Sequence, residues 1–198
     1  MAERRAVARV DRGRPRDPGN DAAILDAALD LLIERGAGGA SIEAIARRAG
    51  VAKLTVYRRW QAKQDLLIAA LEHARTNNVD LPDADQTLDD VVDYTAELLS
   101  RPRFRALMAR IIGASVDYPK LVQAYTERHL QPRLTELTET ARRAIEAGQF
   151  PPDTDPTAVR DVIVSSIAMV LLDNGEMTAT QIAERLRTLL RQLGYRAM

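Results

Sequence analysis

Between Ser41 and Trp60 the chain reads SIEAIARRAGVAKLTVYRRW, and the spacing inside this stretch admits few folds. Ser41 is a strong helix N-cap, and Ile42, Ile45, Ala46 and Ala49 fall on one face of the helix it would start. Gly50 stands where the chain must leave that helix with positive φ, which glycine does without steric cost. A second, short helix then runs over about 53–59, anchored inward by Val51, Val56 and Trp60, and the small Ala46 falls where the two helices touch. Two helices joined by a tight glycine turn make a helix-turn-helix. With Val51 and Val56 inward, Ala52, Lys53, Thr55, Arg58 and Arg59 are left on the outer surface. A major groove admits one helix, Lys and Arg donate to guanine O6 and N7, and a threonine methyl meets a thymine methyl. The alternative is an ordinary helical hairpin with a solvated basic face.

The rest of the chain predicts an all-α protein. Aromatic residues make up 4% of the sequence, and Ala, Leu and Arg are abundant, which favours helices over sheets. Helix one begins beside Asn20 and Asp21, carries Ile24, Leu25, Ala28, Leu31 and Leu32, and ends at Gly36. A fourth helix follows over about 63–75. Amphipathic segments then carry Leu88 to Leu99, ended by Pro102, and Phe104 to Ile112. A long segment from Pro119 to Gly148 keeps helical spacing, although Pro132 should kink it. Asp155 and Pro156 are an N-cap and first-turn pair for the helix with Val159, Ile163, Ser166 and Val170 on its face, and a last helix carries Ile182, Leu186, Leu189 and Leu193.

These elements divide into a flexible basic arm (1–20), a three-helix head with the helix-turn-helix (21–75, the motif itself at 41–60) and a larger helical body (80–198). The formal net charge is zero but unevenly placed: residues 1–63 hold 13 Lys and Arg against 8 Asp and Glu, so the remainder is acidic. A basic head suits a polyanion, and an acidic body repels it elsewhere. Within the arm, RGRPR places Arg12, Arg14 and Arg16 beside Gly13 and Pro15. They could lie in a narrow A·T-rich minor groove or simply add charge.

Gly50-Val51, Lys53, Thr55-Val56-Tyr57-Arg58-Arg59-Trp60 and Lys63, preceded by Ile45-Ala46-Arg47-Arg48-Ala49, resemble the DNA-binding head of TetR-type transcriptional repressors. The resemblance implies a helix-turn-helix head on an all-α body that dimerises and holds a small-molecule effector. By position, Ser41 begins the first motif helix, Lys53 and Thr55 lie on the recognition helix, and Tyr57 and Lys63 match phosphate contacts. Three positions depart from the commonest pattern: Leu54 replaces a small residue, Arg59 a frequent histidine and Trp60 a phenylalanine.

The expected partners are therefore an operator in double-stranded DNA, palindromic as a two-fold dimer requires, a small-molecule effector and a second copy of the chain. Tyr94, Phe104, Met108, Ile111, Tyr118, Tyr125 and Met169 could line an apolar effector cavity, and each is equally compatible with a core position. Val159, Ile163, Ser166 and Val170, with Ile182, Leu186, Leu189 and Leu193, are the dimer-interface candidates; the alternative is burial within one chain. The bend at Pro132 is the candidate for passing a shift between the parts of the body.

Enzyme classes find little support. There is no cysteine, so thiolate metal sites and cysteine nucleophiles are excluded. His73 and His129 stand alone, and the acids between Asp80 and Asp93 lack a calcium-loop spacing. No metal, cofactor or catalytic residue is expected. No apolar run approaches a membrane span, so a cytoplasmic protein is expected. The sequence thus predicts a ligand-responsive DNA-binding repressor; an all-α enzyme or a protein-interaction module with a basic head are the other readings.

Overall fold

The structure, a computed structural model, describes residues 18–78, 86–173 and 177–197, and every regular element among them is helical. Arg12, Arg14 and Arg16 lie outside the described residues. Helix α1 (Pro18–Gly39) starts three residues before Asp21, so the last residues assigned to the arm belong to it; proline is well tolerated in a first helical turn. At Gly36 (φ 70°, ψ 175°) the helix breaks, and one further turn closes with the Ala40 N–H on the Gly36 carbonyl at 3.2 Å.

Helix α2 (Ile42–Arg48) is capped by Ser41, whose hydroxyl oxygen accepts from the Ala44 N–H at 3.1 Å. Its other end is a Schellman motif. Gly50 has φ 68°, its N–H donates to the Arg47 carbonyl at 3.3 Å, and the Val51 N–H donates to the Ala46 carbonyl at 3.0 Å. Helix α3 (Lys53–Tyr57) follows with Val56 buried, and α4 (Lys63–Asn78) buries Leu66, Leu67, Ala70 and Leu71.

In the body, α5 (Leu88–Ser100) opens on a Thr87/Asp90 capping box, and Pro102 both ends it and begins α6 (Pro102–Gly113). Helix α7 (Pro119–Tyr125) passes through a π-helical turn at Thr126–Leu130 directly into α8 (Gln131–Glu146). Pro132 sits in the first turn of α8, where the wider π turn before it accommodates the missing amide donor. Helix α9 (Pro156–Leu172) starts on the expected pair: the Asp155 carboxylate accepts from the Thr157 N–H at 2.8 Å and Pro156 follows. Helix α10 (Ala179–Gln192) has a second capping box, Thr178 with Gln181.

Two hydrophobic cores result. One joins α1 to α4 and also takes in Met108 and Ile111 of α6 and Leu121 of α7. The second is built by α5, α8, α9 and α10. It corrects most of the dimer-interface expectation: Val159, Ile163, Ser166, Val170, Ile182 and Leu186 are all buried inside this one chain. An apolar stripe at helical spacing has the same sequence whether its own chain or a second copy covers it, and here α5 and α8 provide the cover. Leu193 is half-buried against the same core; only Leu189, 38% exposed, is left outside. The helices are tied at their ends by Tyr195, whose hydroxyl donates to Asp89 at 2.7 Å, and by Arg187, which reaches Asp89 at 2.9 Å and Asp93 at 2.8 Å.

Candidate nucleic-acid interface

Burial of Val56 fixes the rotation of α3 and so decides what it presents. Ala52, Lys53, Leu54, Tyr57 and Arg58 are exposed, and Thr55 is half-buried at their edge. Lys53 pairs with Glu43 of α2, and its ammonium lies 5.4 Å from the centre of the Tyr57 ring. The hydrogen bond from Lys53 holds the Glu43 carboxyl below the usual carboxylate range and raises the Lys53 ammonium. Both partners are solvated, so a phosphate or a guanine edge can replace the carboxylate at little cost. Among the described residues, Arg58 and the neighbouring Arg47 are exposed cations with no ion pair.

Three expected DNA contacts are otherwise engaged. Arg59 turns inward to pair with Asp21 of α1 and donates to the Thr55 carbonyl at 3.2 Å. Lys63 donates to the Ala37 carbonyl at 2.7 Å and to the Tyr118 hydroxyl at 3.3 Å, with its ammonium 4.9 Å from that ring's centre. Its position at the start of α4 points it at the end of α1 and the α6–α7 loop. The Ser41 hydroxyl is used as a helix cap. Conversely, Leu54 and Arg47 were not among the expected contacts. A leucine 60% exposed in the middle of a cationic face is what an apolar contact to a thymine methyl needs, but only exposure distinguishes it from a core leucine.

The body encloses a cavity of about 860 Å³ between α5, α6, α8 and α9. Tyr94, Phe104, Met108, Ile111 and Tyr125 line it. Tyr118 and Met169 do not. Tyr118 is held at the head by Lys63, and Met169 faces outward, 51% exposed. Polar residues of α8, Arg133, Thr140 and Arg143, share the lining with Leu134 and Leu137; the spacing of three and four residues along this set places it on one helix face, and apolar periodicity gives no signal for its polar members.

Helix α6 joins the cavity to the head. Phe104, Met108, Ile111 and Ile112 face the cavity, while its basic residues hold α1: Arg103 pairs with Asp30 at 2.5 Å, and Arg110 donates to the carbonyls of Ile33 at 3.2 Å and Glu34 at 2.9 Å. Arg128, in the π turn, reaches Glu72 of α4. Cations at the end of a helix offset its exposed carbonyls, so Arg110 caps the long arm of α1 from the body.

Residues 24–70 match the family described as bacterial regulatory proteins, tetR family, and residues 79–190, more than half of the chain, match the tetracyclin repressor-like C-terminal domain. The chain belongs to the TetR family. It is a helix-turn-helix DNA-binding transcriptional regulator, and the family is not one of enzymes. The HTH-type transcriptional regulator YdeS of Bacillus subtilis (strain 168) is 32% identical over 83% of this chain and 84% of that protein. The DNA-binding transcriptional repressor TetR of Mycobacteroides abscessus is 30% identical over 77% of this chain and 80% of that protein. Among solved structures, a transcriptional regulator from Saccharomonospora viridis in complex with choline aligns with a TM-score of 0.66, covering 88% of this chain and 97% of that one at 18% identity. That last likeness is one of fold. Among the described residues no helix is long and apolar enough to cross a membrane, and no cluster of His, Cys, Asp or Glu could hold a metal ion.

Proposed function

We propose that this TetR-family regulator is a homodimeric repressor whose hold on a palindromic operator is released by a small molecule in the body cavity. The observation that carries the reading is the double engagement of α6, which lines the cavity with one face and grips α1 with the other. A ligand that favours a displaced α6 moves the head through Arg103 and Arg110, so α6 takes the transmitting role that sequence position alone gave to the bend at Pro132. A relative that is a repressor and a structural neighbour that holds choline are consistent with both halves of the proposal.

Dimerisation supplies the geometry. Two recognition helices enter successive major grooves only if they stand about 34–36 Å apart. A surface for the second copy is available on α9, where Met169 and Leu172 are exposed, with Leu189 of α10 also exposed; Ser165 and Ala168 on the same helix are exposed at the cavity. A small change in head spacing then weakens one half-site, and a coupling of about 1–3 kcal/mol changes occupancy severalfold to a hundredfold.

The test selects duplex from a random pool, measures its affinity across salt concentrations, and repeats the measurement with bound ligand. The proposal expects a two-fold symmetric site, a steep salt dependence, and equal factors by which ligand weakens DNA and DNA weakens ligand. Operator affinity that is independent of every ligand that enters the cavity would leave a constitutive DNA-binding protein.

A further inference from the structure

We propose that the cavity accepts a hydrophobic carboxylate, its acid group held by Arg133 and the Tyr125 hydroxyl and its apolar portion against Phe104, Ile111 and Ile163. The assignment rests on the effector reading above and goes beyond it to a ligand class.

The charged side chains of the lining carry the argument. Two of its acids are neutralised by arginines that do not line the cavity: Asp161 pairs with Arg160 at 2.7 Å, and Glu139 pairs with Arg142. Among the described residues the lining arginines have no such compensation. Among the described residues, Arg143 donates to neutral oxygens alone, the Thr140 hydroxyl at 2.9 Å and the Gln86 carbonyl at 3.4 Å. Arg133 is half-buried and has neither a hydrogen bond nor an ion pair among the described residues. The remaining acid, Glu136, is exposed and makes no ion pair with it. Two guanidinium groups thus face one solvated carboxylate. A partly desolvated cation without a counter-ion favours an anionic occupant, and guanidinium matches a carboxylate with two parallel donors.

Tyr125 adds a third donor. Its hydroxyl is directed at the Met108 sulfur, 3.2 Å away, a weak acceptor that an oxygen would readily replace. Burial pushes its pKa up while the Arg133 charge opposes that rise, so the two polar groups act on the same part of the cavity. The Tyr125 ring stacks on His129 with centroids 5.3 Å apart, which holds its orientation. The volume, about 860 Å³, suits a small amphiphile with an apolar body and a single polar head.

The experiment titrates the full chain by calorimetry with three matched series from hexyl to dodecyl: fatty carboxylates, their primary amides, and alkyltrimethylammonium ions. The carboxylate should bind roughly ten- to a hundredfold more tightly than the amide of equal length, the range expected when a charge-assisted hydrogen bond replaces a neutral one. Arg133→Gln should remove that preference and leave amide affinity unchanged, which also shows that the variant keeps its cavity. Tyr125→Phe should weaken carboxylate and amide alike, since the phenol donates to either. Equal binding of acid and amide, tightest binding of the ammonium series, or an acid preference that survives Arg133→Gln overturns the carboxylate assignment while leaving an effector cavity. Failure of all three series to bind overturns the cavity reading together with it.

Discussion

Gly36→Ala isolates a cost that no side-chain contact explains. At φ 70° and ψ 175° this residue occupies a region essentially restricted to glycine, where an L side chain is strained by about 1–3 kcal/mol. Packing adds little: a Cβ here would come no closer than 3.6 Å to Arg110 Cδ, an ordinary contact. The backbone must nonetheless keep this conformation. Immediately before it lie the Ile33 and Glu34 carbonyls that Arg110 grips, and immediately after it the Ala37 carbonyl that receives Lys63. Relaxing the angle therefore means releasing some of those bonds, so strain cannot be discharged without loss. For a chain of this size each kcal/mol lowers the melting temperature by about 2–4 °C, giving an expected fall of roughly 2–12 °C. Calorimetric melting of the free protein provides the measurement, with Gly113→Ala as the comparison. Gly113 ends α6, its φ is not positive, and nothing lies within 4 Å of a Cβ built there. Alanine at that site should stay within about 0.5 kcal/mol of wild type. If the two variants melt together, the reversal at Gly36 does not constrain the head–body junction and the reasoning fails.

Three further outcomes follow from side-chain placement. Arg58→Ala should weaken every DNA sequence alike and reduce the salt slope by about one, with unchanged melting, whereas Arg59→Ala should cost about 1–2 kcal/mol of stability and barely alter the slope; binding isotherms over a salt series with parallel melts separate them, and the reverse pattern refutes the orientation of α3. Tyr195→Phe should destabilise by about 1.5 kcal/mol through loss of the bond to Asp89. Burial and that carboxylate raise the Tyr195 pKa above its ordinary 10.0, so the contribution is complete below pH 10 and is lost as pH rises beyond it; denaturant titrations should show less alkaline destabilisation in the variant than in wild type. Met169→Glu with Leu172→Glu should convert a dimer to a monomer in sedimentation while leaving the helical spectrum intact, because both side chains are exposed within the single chain; an unchanged mass places the dimer interface elsewhere.

Features legible in the sequence are those whose cause lies within a few residues. Ser41 and Asp155 cap helices by reaching donors two or three positions ahead, and Gly50 and Val51 close a Schellman turn on carbonyls three and five positions behind them. The helical period of the apolar residues predicts the all-α class for the same reason: it is a property of one element. The π turn before Pro132 and the break at Gly36 also have local signals, a proline and a glycine, although only the folded chain specifies how each is accommodated. Tertiary structure decided which partner each long or apolar side chain meets. Arg58 and Arg59 are adjacent in sequence, yet one faces solvent and the other meets Asp21, because the fold brings the start of α1 within reach of Arg59 alone of the two. Val159 and Ile182 look like an interface until α5 and α8 cover them. Arg133 looks like any surface arginine until the packing of α8 against the rest of the body leaves its guanidinium at the cavity wall, near Tyr125 of another helix. Local hydrogen-bond geometry is set by short spacings, whereas the pairing of charges and stripes depends on elements tens of residues apart, whose approach the whole core determines.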